Sequence, residues 1–187
     1  MYNLMLDLET LGTESNAAIL SIGASLFDMN SGRIADTFYQ VIDLQSSIDH
    51  GKVEAETLKW WLKQNKGAQK IFFDNDAVIL KDALFALSLF VKNNSDENLQ
   101  VWSNGASFDI SILNFAYSRH KLKAPWNFRN ERDVRTIVYL AKEISKVDVT
   151  KSLDFLGERH NALDDAIYQS KYVSLAFNLL HGNKDEN

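Results

Sequence analysis

Two acids stand two residues apart in the opening stretch MYNLMLDLETLGT, where Tyr2, Leu4, Met5, Leu6 and Leu8 otherwise make an apolar run of strand length. Side chains at i and i+2 of a strand leave from one face, so Asp7 and Glu9 would project side by side. Two ionised carboxylates so placed repel, and burial penalises each further. If the strand instead ends at Leu6, both are ordinary solvated acids. Three more residues bear on the choice. Asp109 lies in NGASFDISIL, where Asn104 and Gly105 turn the chain after a strand and Ser107 is placed to cap the next helix. His160 and Asp165 lie in ERHNALDDAIYQ, the first just ahead of the last helix and the second in its opening turn. Each has a local explanation when taken alone: the two aspartates complement helix dipoles, and the histidine belongs to a surface loop.

Taken together they describe a site. Acids at the end of a first strand and at the starts of two helices can converge on one edge of a sheet, and ligand sites of open α/β sheets lie at the carboxyl ends of strands. Three or four carboxylates meeting there repel unless divalent cations fill the space. Oxygen ligands with one histidine and no cysteine suit Mg²⁺ or Mn²⁺ better than zinc. A pair of such ions about 4 Å apart stabilises the attacking and leaving oxygens of phosphodiester cleavage.

The elements that must position these residues can be read from apolar spacing. The stretch AAILSIGASLFDMNSGRIADTFYQVID gives two apolar runs around Asn30, Ser31 and Gly32, the pattern of an antiparallel hairpin. Helical spacing marks EAETLKWWLKQ, and also DAVILKDALFALSLFVKNN, with Ile79, Leu80, Ala83, Leu84, Leu87 and Phe90 on its apolar face. LQVWS reads as a strand lying parallel beside the first, and SFDISILNFAYSRH as a helix after it. KAPWNFRNERD, with the single proline Pro125, reads as a loop, ERDVRTIVYLAKEI as a helix and LDDAIYQSKYVSLAFNLL as the last helix. Three strands followed by mixed helices and strands suggest an α/β domain of three layers.

Composition sets the outer limits. A chain of 187 residues, 45% hydrophobic and 11% aromatic, is long enough for one well-packed domain over 1–187. The absence of cysteine excludes disulfides, thiolate zinc sites and a cysteine nucleophile, and fits a reducing cytoplasm. No secretory signal and no apolar run of about 20 residues is visible, so the expectation is a soluble, cytoplasmic protein without a membrane partner. A net charge of −5 argues against coating nucleic acid by bulk electrostatics, but not against a local grip on a few nucleotides.

DLET, NGASFD and the H-x4-D spacing of HNALDDA, in that order along the chain, resemble the three exonuclease motifs of the DEDDh 3′→5′ exonucleases. That family includes proofreading subunits, oligoribonuclease and RNase T. ETLKWWLKQ and WNFRNERDVRT are further similar to phage exonucleases of the T-even exonuclease A type and to the bacterial exoribonucleases called RNase AS. The resemblance implies a ribonuclease-H-like three-layer fold, with a mixed five-stranded sheet (an antiparallel meander, then parallel strands) flanked by helices. It implies that Asp7, Glu9 and Asp165 hold one Mg²⁺ or Mn²⁺ ion, that Asp7 bridges to a second near Asp109, and that His160 is the general base. Family spacing selects Asp165 over its neighbour Asp164. The implied reaction is release of 5′-mononucleotides from the 3′ ends of single-stranded DNA or RNA. RNA alone is the alternative substrate, and a non-catalytic nucleic-acid-binding domain is a further one; no catalytic acid is missing to favour it.

Substrate contacts are expected from Thr10, Leu11 and Gly12, whose backbone follows the acidic pair, with Leu11 against a base. Trp60 and Trp61 are adjacent on a helix and cannot face one way; Trp61 is expected to stack on a base. Ser107 and Phe108 are placed to flank the nucleotide, Phe108 with a core position as its alternative. Arg132, Asp133 and Arg135 form either a helix-start salt bridge or a phosphate contact. By analogy with relatives that form two-fold dimers, the loop from Trp126 to Phe128 is expected at a homodimer interface.

Overall fold

Tyr2–Thr10 forms β1, and both of its faces are covered, which is why its apolar run is continuous rather than alternating. In the computed structural model, which describes residues 2–94, 96 and 98–182, β1 is the middle of five strands. Ile19–Asp28 (β2) pairs antiparallel with β1, and Ile34–Val41 (β3) antiparallel with β2. Gln100–Ser103 (β4) lies parallel on the other side of β1, and Glu131–Asp133 (β5) parallel beyond it, giving the order β3-β2-β1-β4-β5. The β2–β3 turn is the expected one: Asp28 Oδ1 accepts the Ser31 N–H, and Gly32 takes a φ of +66°.

Two helical layers enclose the sheet. Leu4, Leu6 and Leu8 pack on Leu80–Asn94 (α4) and Asp109–Arg119 (α5), whereas Met5 on the opposite face packs on Val134–Ser145 (α6) and Ala162–Gly182 (α7). Leu44–His50 (α1), Ala55–Trp61 (α2) and Lys66–Gln69 (α3) lie between β3 and α4 in the chain; α1 was not anticipated from sequence. No helix among the described residues is long and apolar enough to cross a membrane.

Several boundaries differ from expectation. Glu131–Asp133, read as the start of a helix, is strand β5, and Asp133 ends it by capping α6, its Oδ1 accepting the Thr136 N–H. Three charged residues carry no strand period, so only the parallel pairing with β4 reveals them. α4 begins at Leu80, leaving Ile79 half exposed, because Val78 is held in a parallel bridge to Ile42. Of the two rings in the Trp126–Phe128 loop only that of Phe128 is exposed, at 70%; the Trp126 ring is buried edge-on to Tyr117 and its Nε1–H donates to Glu131.

α7 lies unusually close to β2. Ala162, Ala166, Ser170 and Ser174, four residues apart, make a buried ridge of small side chains on α7. Facing it on β2 are Ser21, Gly23 and Ser25, with Ser25 Oγ 2.6 Å from Ser170 Oγ. A side-chain carbon at Gly23 would lie 2.2 Å from the carbonyl of Ala162. Gly23→Ala should therefore destabilise by about 1–3 kcal/mol, the usual cost of overpacking. Gly182→Ala, where nothing lies within 4 Å, should be close to neutral. Denaturant midpoints of the two variants test this, and equal midpoints would contradict the packing described.

Candidate active site

Gly23 is the β2 partner of Asp7, so the first turn of α7 comes down directly beside the acid pair. Asn161 caps that turn, its Oδ1 accepting the N–H groups of Leu163 and Asp164. Asp165 points inward and accepts the His160 N–H at 3.0 Å. Asp164 turns away and accepts the Glu158 N–H instead. One turn beyond Asp165, Gln169 donates from Nε2 to Asp7 at 2.7 Å. That partner went unread, although the i+4 spacing from Asp165 puts it on the same helical face.

Asp109 arrives from the other side of β1. β4 ends at Ser103, opposite Leu6, so the Leu8 N–H has no strand partner there and donates to Asp109 Oδ1 at 3.0 Å. The expected Ser107 cap is absent: Phe108 occupies the N-cap position without a side-chain bond, and Ser107 is exposed. Phe108 is partly buried against the larger core cluster, its alternative expectation. The β4–α5 loop is instead tied down by Asp133, whose Oδ2 accepts the Ala106 N–H.

Four carboxylates thus share one edge of the sheet, and each is harder to ionise than usual. Burial, then the charges of Asp109, Glu9 and Asp165, pushes Asp7 well above the carboxylate range, against the Gln169 hydrogen bond. Burial, then Asp165 and Asp109, pushes Glu9 up to about 8. Burial pushes Asp109 up to about 7, opposed by the Leu8 N–H, its own N–H and the charge of Arg135. Burial raises Asp165 too, against the His160 N–H. Ligand atoms of Glu9, His160 and Asp165 all lie within 4.8 Å of one another.

His160 sits in the left-handed region at a φ of +64°, which a residue with a side chain adopts only where its surroundings hold it. Its ring meets the Trp60 ring edge-on, with centroids 4.8 Å apart. Beside it a cavity of about 300 Å³ is lined by Tyr39, Lys70, Ile71, Asp74, Glu158 and Asn161, among others.

The two tryptophans face the opposite way from expectation. Trp61 is 1% exposed, packs edge-on to Phe72 and donates from Nε1 to the Thr10 carbonyl at 2.8 Å, so it cannot stack on a base. Trp60 is 41% exposed and stands next to His160. Leu11 likewise cannot lie against a base. Its side chain is buried with Leu20 and Trp61, its N–H donates to Ala18 and its carbonyl accepts from Glu54. Thr10 and Gly12 are also buried, and the Thr10 hydroxyl donates to the Gly12 carbonyl. Residues 10–12 are therefore a packed turn behind the acids.

Stability should report this electrostatic arrangement. The folded pKa values of the carboxyls lie above their unfolded values, so their contribution is full below about pH 4. It is lost as pH rises through about 7 for Asp109 and about 8 for Glu9. Between those limits metal-free protein should lose about 1.4 kcal/mol per pH unit for each proton that the folded state still holds and the unfolded chain has shed. Asp7→Asn should flatten the slope. Denaturant unfolding in EDTA from pH 5 to 9 measures it, and a pH-independent stability would contradict the geometry.

The sequence is 28% identical to the exodeoxyribonuclease of Enterobacteria phage T4, over 73% of this chain and 70% of that protein. The nuclease domain of 3′hExo, a DEDDh family member solved with rAMP, superposes with a TM-score of 0.66 at 15% identity, covering 95% of this chain and 92% of that one. S. pombe Pop2p in its Mg²⁺- and Mn²⁺-bound form superposes at 0.60 with 12% identity, covering 91% and 81%. At such identities these structures establish the shared ribonuclease-H-like fold. The family described as the 3′-5′ exoribonuclease Rv2179c-like domain matches residues 2–177. The chain belongs to that family, and it is a 3′–5′ exonuclease.

Proposed function

We propose that the enzyme removes nucleotides singly from the 3′ end of single-stranded nucleic acid, with Asp7, Glu9, Asp109 and Asp165 as ligands of two cations and His160 as general base. The observation that carries this reading is the convergence of four buried or half-buried carboxylates from β1, α5 and α7, each resisting ionisation. Such an arrangement is costly in a protein that binds no cation. The donor set fits Mg²⁺ or Mn²⁺, being carboxylate oxygens with one imidazole in reach and no thiolate. Pop2p, of the same fold, was solved with both ions, which supports the choice. Such ions supply positive charge where negative charge develops on the phosphoryl oxygens.

The chain's own groups do the rest. An imidazole nitrogen of His160 takes a proton from the attacking water as its oxygen bonds to phosphorus. The bond from phosphorus to the 3′-oxygen of the penultimate nucleotide breaks, and that oxygen leaves as the new 3′-hydroxyl with a proton from solvent. The product is a 5′-mononucleotide. The His160 N–H on Asp165 and the Trp60 ring hold the imidazole in place. Trp60, exposed beside it, offers an unpaired terminal base a stacking face, which supports a single-stranded substrate.

The family's description favours a second reading in which RNA is the sole substrate, whereas the phage relative is named for DNA. Matched end-labelled single strands of DNA and RNA, digested with Mn²⁺, separate the two. A 5′-label should give a descending ladder and a 3′-label should be lost at once as a mononucleotide. EDTA should stop both. His160→Ala should lower the single-turnover rate by about two to four powers of ten with calorimetric Mn²⁺ affinity retained. Cleavage of a circular single strand would overturn the exonuclease direction, and wild-type turnover in His160→Ala would remove the general base.

A further inference from the structure

Arg135 is the second residue of α6, where the helix's own N–H groups already present partial positive charge. A cation there runs against the helix's own electrostatics; it feels the charges of Asp109 and Asp133 but is bonded to neither. Among the described residues its guanidinium makes no hydrogen bond and no ion pair within 4.0 Å. Asp133, the closest acid in sequence, spends both oxygens on Ala106 and Thr136. Arg132, the other arginine of the cluster, donates from Nη1 to the carbonyls of Arg129 and Glu131. The helix-start salt bridge therefore does not form, and one arginine is left exposed with its donors free.

Its place is built. Gly105, at a φ of +114°, follows the end of β4, and the guanidinium lies against it. A side-chain carbon at Gly105 would sit 3.0 Å from Arg135 Cζ and 3.1 Å from Nη2. The missing side chain lets the guanidinium rest at the carboxyl edge of the sheet, close enough for its charge to act on Asp109. Five fixed donors and a charge that is never lost suit the paired oxygens of a phosphodiester. Because Arg135 is exposed and stands outside the buried carboxylates, it meets the strand entering the site rather than the bond being cut.

We infer that Arg135 grips a phosphate of the bound strand upstream of the scissile linkage; the inference rests on the exonuclease reading above. The test measures kcat/KM for release of the first nucleotide from 5′-labelled oligonucleotides in Mn²⁺, for wild type, Arg135→Gln and Arg135→Lys. The strands carry a single uncharged methylphosphonate at the second or the third linkage from the 3′ end. Arg135→Gln should lose about ten- to a hundredfold on the natural strand, as expected for one charge-assisted contact, and Arg135→Lys should recover part. At one of the two linkages the methylphosphonate should lower the wild-type value by a similar factor yet leave Arg135→Gln nearly unchanged. The slope of log kcat/KM against log salt should fall by about 0.7 in Arg135→Gln. Independent, multiplying losses at both linkages, or an unchanged salt slope, would overturn the inference. Inactivity of the wild type on every strand would instead overturn the exonuclease reading.

Discussion

The contact between Gly23 and the carbonyl of Ala162 governs the rest of the site. It lets a helix start almost on the sheet surface, which no residue with a side chain at position 23 would permit. Register then does the remaining work: Asp7 lies opposite Gly23, Asp165 is one turn into the helix and Gln169 is one turn further. The stripe of small residues along α7 and β2 extends this closeness from Ala162 to Ser174. Placing Asp165 beside Glu9 is thus a matter of backbone proximity. Long flexible side chains would reach the same point only at greater entropic cost.

Stability and chemistry pull in opposite directions here. The fold removes water from four carboxylates and sets them beside one another, which disfavours their charged forms. Main-chain donors soften the cost at two of them, through Leu8 on Asp109 and His160 on Asp165. Those donors also fix where the oxygens point. Backbone strain sits in the same place, since His160 takes a left-handed conformation within the loop that leads into α7. Charge repulsion and strain therefore concentrate within a few residues of the cap of one helix, while both faces of the sheet beyond it are conventionally packed.

Much of this was legible in sequence. Asp7 and Glu9 share a strand face, and Asp109 and Asp165 stand at helix starts, so period and position alone brought them to one edge. The parallel placement of LQVWS beside the first strand also held, as Gln100–Ser103. What failed depended on tertiary contacts. Helical geometry separates Trp60 from Trp61 by about 100° but does not say which side holds Thr10, Leu20 and Phe72. β5 consists of Glu131, Arg132 and Asp133, and only its pairing with β4 makes it a strand. Leu11 reads as available because it follows the acids, yet the chain turns there and seals it against Ala18.

The central claim is that the fold forces these carboxylates together and that cations take the place of protons among them. Calorimetric titration of Mn²⁺ into metal-free protein at pH 7, in two buffers of different ionisation enthalpy, counts the protons displaced. With Glu9 raised to about 8 and Asp109 to about 7, binding should release at least one proton per protein, and fewer at pH 9. Binding with no proton release at pH 7 would contradict the account.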